Sequence, residues 1–146
     1  MLPATRSDVD QLQDALIAFV RAFGLLRPIE TPCGRAMSVS EAHALGELSV
    51  HGSMTQQQLS RRLRLQKSTV SRLVDQLVAR GWARRSQSQV DGRAVEVALT
   101  EAGQVEARQL AMARRDKFAG LLQAVPADQR SAVLNALHTL TEALDD

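Results

Sequence analysis

Nine basic side chains, Arg61, Arg62, Arg64, Lys67, Arg72, Arg80, Arg84, Arg85 and Arg93, fall between Thr55 and Arg93, where only Asp75 and Asp91 oppose them. That segment carries a net +7, the remainder of the 146-residue chain −5, and the whole molecule only +2. Charge segregated in this way sets one region against a polyanion and keeps the acidic ends away from it. Nucleic acid is the first candidate, and a merely solvated charged surface is the alternative that charge by itself leaves open. Inside the segment, Ser68, Thr69, Ser71 and Arg72 stand in one run of hydroxyls and a guanidinium, groups that bond to phosphate oxygens and to base edges.

Other chemistry finds little to use. The three histidines are dispersed, and neither a glycine-rich phosphate loop nor a nucleophile elbow occurs, so no enzyme is expected. Glu30, Cys33 and His43 lack a two-histidine or Cys-x-x-Cys spacing, so neither a metal nor a cofactor is expected. Cys33, the sole cysteine, has no internal disulfide partner and reads either as an inert thiol or as a redox sensor. Phe19, Phe23 and Phe118 accompany Trp82, too few aromatics for a single-strand stacking platform, so Trp82 is assigned to the core under a hairpin. No apolar run approaches the roughly 18 residues of a membrane span. Asp8 and Asp10 in the first ten residues are unlike a secretory leader, which makes the cytoplasm the expected location.

These groups need elements to hold them, and an apolar fraction of 45% is ample for one compact domain. From Asp8 to Arg27, Leu12, Leu16, Phe19, Val20, Phe23 and Leu26 make the stripe of an amphipathic helix that Pro28 stops. Ser38 with Glu41 opens a second helix, ended by His51, Gly52 and Ser53, and Thr55 with Gln58 opens a short third one reaching about Arg64. In the fourth, Val70, Leu73, Val74, Leu77 and Val78 form the buried face, Ser68, Ser71, Arg72 and Asp75 the opposite one, and Gly81 the end. Trp82 to Ser86 and Ala94 to Leu99 are strand candidates around a polar turn, Gln87 to Arg93. A long helix from about Glu101 to Ala124 and a last one from Pro126 to about Leu144, with a seam of Val133, Leu137, Leu140 and Leu144, complete the chain. The order is that of a mainly α winged helix-turn-helix with about six helices and a two- or three-stranded wing. A chain this small has limited core to offer so many helices, so part of the terminal apolar surface is expected to bury against a second copy.

At this point the residues carry a resemblance. Leu59 to Leu65, the run Lys67 to Asp75 with its Ser-Thr-Val-Ser-Arg, then Gly81, Asp91, Arg93 and Leu99-Thr100-Glu101-Ala102-Gly103 resemble the MarR family of bacterial transcriptional regulators over almost the whole chain. The resemblance implies a single 1–146 unit. Residues 8–37 and 101–146 would supply dimerisation helices and an adjoining loop, and 38–100 a winged helix-turn-helix lobe. It further implies a triangular homodimer on a pseudo-palindromic double-stranded operator, with the helix beginning near Lys67 in a major groove. Arg72 would read a guanine, since its planar fork spans both acceptors. Ser68, Thr69 and Ser71 would bond bases or phosphates, and Lys67 and Arg64 would neutralise phosphates. Arg93 would carry the wing toward the minor groove or its phosphates, held by Asp91, with Arg84 and Arg85 sharing the phosphate work.

Two departures accompany the resemblance. Where family members often have Asp-Arg-Arg, this chain has Asp91-Gly92-Arg93, one positive charge fewer, so a weaker and more mobile wing is expected. Gln66 stands where a good N-cap is wanted, so the recognition helix is expected to fray before DNA orders it. By analogy with the family, release would follow entry of a small phenolic or other anionic effector into a crevice between the dimerisation helices and the lobe, or oxidation of Cys33. The rival to a repressor of this kind is a sequence-independent architectural or protein-interaction winged helix, which would lose affinity evenly across sequences when Arg72 is removed.

Overall fold

The structure is a computed structural model and describes residues 2–145. Met1 and Asp146, the outermost positions of the expected 1–146 unit, lie outside the described residues. The elements run α1 (Arg6–Phe23), α2 (Val39–His51), β1 (Met54–Thr55), α3 (Gln56–Leu63), α4 (Lys67–Ala79), β2 (Ala83–Gln87), β3 (Val95–Leu99) and α5 (Glu101–Ala124). A 3-10 turn at Ala127–Gln129 then leads into α6 (Arg130–Ala143). The architecture is the expected mainly helical winged helix-turn-helix.

Local chemistry explains most of the boundaries. Ser38 and Glu41 open α2, and Thr55 and Gln58 open α3, each as a reciprocal capping box with both bonds present. A third box, Thr5 with Asp8, moves the start of α1 to Arg6, two residues before the expected one. α1 also ends at Phe23, not near Arg27, because Gly24 adopts φ 93° and the amides of Gly24 and Leu25 both bond to the Val20 carbonyl. The helix has therefore stopped well before Pro28 can act.

The sheet has the order β1-β3-β2, all antiparallel, with Met54 opposite Val97 and Ala83 opposite Leu99. β1 is only two residues long, too short for its alternation to be seen in sequence. The wing turn is closed by the Ser88 amide on the Ala94 carbonyl at 2.9 Å and by the buried Ser88 hydroxyl, which accepts from the amides of Val90 and Asp91.

One apolar cluster joins α2, α3, α4, the sheet and the first half of α5, with Leu45, Leu59, Val70, Val74, Leu77, Val97 and Leu110 essentially inaccessible. One residue departs from its expected face. Val78 is 40% exposed because it lies about 80° round the helix from Val70, at the edge of the stripe. Val95 is also exposed, since it stands where β3 leaves the core for the wing. Trp82 is half-buried against the cluster.

The Leu-Thr-x-x-Gly motif proves to be a clamp. The Thr100 hydroxyl accepts from the Gly103 amide and donates to the Gly81 carbonyl at 2.6 Å, while the Thr100 amide bonds to the Trp82 carbonyl at 3.0 Å. A β-carbon on Gly103 would sit 1.9 Å from the Trp82 oxygen, so only glycine lets α5 start there. By contrast, no residue of α1 or α6 is buried. Leu12, Leu16 and Phe19 on α1, and Val133, Leu134 and Leu137 on α6, all face outward.

Candidate nucleic-acid interface

α4 is set by its buried side, and its opposite side consequently faces out. Lys67, Ser68 and Arg72 are exposed, and Thr69 and Ser71 half-buried. Gln66 occupies the N-cap with φ −69° and ψ 152° but makes no side-chain capping bond, which leaves the first amides of α4 unsatisfied by the cap. Among the described residues Arg72 keeps most of its donors free, its only bond being a long one of 3.4 Å from Nε to the Ser68 carbonyl.

The nine cations divide into two groups that a charge count does not separate. Arg62 pairs with Glu47 at 3.5 Å, Arg80 with Glu41 at 2.5 Å, Arg85 with Asp75 at 2.6 Å, and Arg64 with Asp145. Glu41, Glu47 and Asp145 come from outside the basic segment and neutralise part of it. Among the described residues, Arg61, Lys67, Arg72, Arg84 and Arg93 have no carboxylate within 4 Å.

Several expected site residues sit differently from expectation. Arg85 also donates to Gln56 Oε1 at 2.7 Å and to the Ser71 carbonyl at 2.8 Å, so its guanidinium bolts β2 to α3 and α4. Arg84 stands on the other face of β2, beside Gln104 and Arg108 in a surface groove. Arg64 closes α3 with φ 56°, its charge turned to Asp145. Asp91 holds the wing through the backbone, accepting the Arg93 amide at 3.1 Å, and makes no ion pair with the Arg93 guanidinium. That guanidinium is left free at the wing. Together with Lys67, Thr55, Gln56 and Gln57 it lines a groove that runs between the starts of α3 and α4 and the wing.

A second concavity of about 290 Å³ opens between the end of α1, the start of α2 and the middle of α5. Phe23, Cys33, Val39 and Phe118 make its apolar wall, the two rings lying 5.6 Å apart, and His43, Arg114 and Lys117 bring nitrogen to its rim. Cys33 is half-buried, its Sγ 3.1 Å from the Thr31 hydroxyl. Partial burial pushes the His43 imidazole below the usual histidine range, the Arg114 charge pushes the same way, and Glu47 partly offsets both. Among the described residues no three His, Cys, Asp or Glu side chains cluster as metal ligands would. Sequence reading had missed Arg114, Lys117 and Phe118, although their i, i+3, i+4 spacing places them on one helical face.

The segment carrying this geometry, residues 37–94, matches the family model of the MarR family. The lobe is thus similar to the MarR family. The match runs from the end of the loop before α2 to the far side of the wing, and the family is one of transcriptional regulators. An uncharacterised HTH-type transcriptional regulator of Mycobacterium leprae is 28% identical over 110 residues, covering 75% of this chain and 77% of that protein. Among solved structures, a probable transcriptional regulator from Pseudomonas aeruginosa is 25% identical with a TM-score of 0.70, over 88% of this chain and 92% of its own. A mutant MarR from E. coli, solved in complex with operator DNA, shares the fold with a TM-score of 0.73 at 21% identity, over 94% of this chain and 99% of its own. No helix among the described residues is long and apolar enough to cross a membrane.

Proposed function

We propose that this MarR-family regulator is a homodimeric, sequence-specific repressor that holds a pseudo-palindromic double-stranded operator and lets it go when the α1–α2–α5 crevice is filled or Cys33 is oxidised. The observation that carries the reading is the disposition of Lys67, Arg72 and Arg93. Among the described residues all three cations are free of carboxylates, two on the recognition helix and one on the wing, with the hydroxyls of Ser68, Thr69 and Ser71 on that helix. In this reading Arg72 reads a guanine, Lys67 meets phosphate and Arg93 enters the minor groove. Arg84 adds a phosphate contact, while Arg64, Arg85 and Asp91 shape the surface from within the protein. The DNA-bound E. coli relative, alike in fold, supports the choice of partner.

The outward apolar faces of α1 and α6 support the dimer, since apolar patches of this extent mark association surfaces. Residues 8–37 and 101–146 are accordingly assigned to dimerisation, 38–100 to the DNA lobe, and the protein to the cytoplasm. The crevice fits a small anion with an aromatic or alicyclic body, which would lie against the two phenylalanines while Arg114 and Lys117 met its charge.

Selection of bound duplexes from a random pool at near-physiological salt tests the reading. An inverted repeat with half-sites about one helical turn apart is expected. Absence of any enriched sequence, with affinity falling with salt for all duplexes alike, would identify an architectural binder instead.

A further inference from the structure

We infer that Arg80, the C-cap of the recognition helix, is the positioning residue through which the crevice sets the placement of α4. The inference rests on the crevice and operator reading above and adds the route between them. Arg80 Nε lies 2.5 Å from Glu41 Oε2, Nη2 donates to Glu41 Oε1 at 3.2 Å, and Nη1 donates to the Ala36 carbonyl at 3.3 Å. The guanidinium also stacks 4.6 Å over the ring of Trp82, the residue that starts the wing. One side chain thus ties the end of α4 to the loop and helix that wall the crevice.

Both attachment points are themselves fastened to the crevice. Glu41 is 4% exposed and caps α2 by accepting the Ser38 amide at 3.0 Å, while Val39, Ala42 and His43 of the same turns line the cavity. Ala36 lies in the loop whose Thr31, Pro32 and Cys33 form the opposite wall. That loop is stiff. Thr31 and Arg35 exchange two bonds of 2.9 Å, and Arg35 Nη2 donates to Glu106 and Gln109 of α5 at 2.6 and 2.8 Å. A body pressed into the crevice therefore displaces Ala36 and Glu41 together, and Arg80, bonded to both, carries the shift to the end of α4. With Glu41 buried and the exposed Arg80 guanidinium held by several bonds at once, the pair has discrete arrangements rather than a continuous range, as a two-state coupling element requires.

The protein supplies its own probe and reporter. Cys33 is the sole cysteine and Trp82 the sole tryptophan. The probe is 2-sulfonatoethyl methanethiosulfonate, which attaches a small anion to Cys33 as a mixed disulfide. The readouts are Trp82 emission in the DNA-free protein and affinity for the selected duplex. In the native sequence, modification is expected to shift Trp82 emission and weaken binding at least tenfold, and a Cys33→Ser protein, which lacks the thiol, is expected to respond in neither. Glu41→Gln keeps an N3 side chain able to cap but loses the charge that grips Arg80. It should fold, bind DNA within about threefold of the native protein, and lose both responses. Arg80→Lys, which keeps the charge without the fork, gives the same test from the other partner. Equal responses in the native and Glu41→Gln proteins would overturn the coupling while leaving the crevice reading intact. An emission shift that Glu41→Gln abolishes, with no change in affinity, would uphold the Arg80 link and overturn release of DNA. No response of either kind in the native protein would overturn both.

Discussion

Arg72 and Arg93 are both exposed arginines of one basic segment, yet they should fail differently. Arg72 stands on the outward face of a helix with its fork free, so Arg72→Ala is expected to cost about 1–3 kcal/mol on the selected operator and to relax preference at one base pair. Competition binding against single-position variants of the site measures this. Arg93 sits on a turn shaped through Asp91 and the backbone, so Arg93→Ala should weaken all duplexes alike and lower the salt slope by about one. His43 supplies a pH test. Desolvation and the Arg114 charge hold its imidazole below the ordinary range, and an anion in the crevice would favour the protonated form. Binding of an anion therefore draws in a proton, and affinity for 1-naphthoate, measured by titration calorimetry, should rise as pH falls from 7.5 to 5.5. A His43→Gln protein should show a flatter profile.

Helices and strands here are joined by a few close contacts that dictate which residues the joints accept. The junction of α4, β2 and α5 is held by Thr100 on Gly81 and Trp82, and Gly103 is the residue that permits the approach. Gly103→Ala places a methyl against a backbone oxygen, which cannot rotate away, and should cost about 1–3 kcal/mol in urea denaturation. Gly120 on the same helix has open space around it, and Gly120→Ala should be neutral or stabilising because alanine favours the helix. The element boundaries legible in sequence were those marked by side-chain chemistry, namely the Ser38 and Thr55 caps. The end of α1 was misplaced because Pro28 is a conspicuous breaker, whereas Gly24 acts through a left-handed conformation that any glycine has available and few adopt.

For the molecule as a whole, the apolar seams of α1 and α6 matter most, because the chain does not bury them itself. Leu137→Glu, on the outer face of α6 and 49% exposed, should leave the winged-helix lobe folded while shifting sedimentation from dimer to monomer. Operator affinity should fall with it, since a monomer holds one half-site only. Restored dimerisation without restored DNA binding in a revertant screen would detach the two properties.

The residue sequence by itself determined the class of fold and the cationic character of its middle, because capping pairs, helical stripes and charge clustering act over short stretches of chain. The recognition-helix face was equally legible, since a buried stripe on one side of a helix dictates what stands on the other. Tertiary structure alone decided which cations remain available. Arg62, Arg64 and Arg80 are matched by Glu47, Asp145 and Glu41, carboxylates 15, 81 and 39 positions away that no local pattern connects to them. The same holds for the crevice, whose walls come from α1, the following loop, α2 and α5, and for Arg80, which looks like one more basic residue until the fold places it between that crevice and the recognition helix.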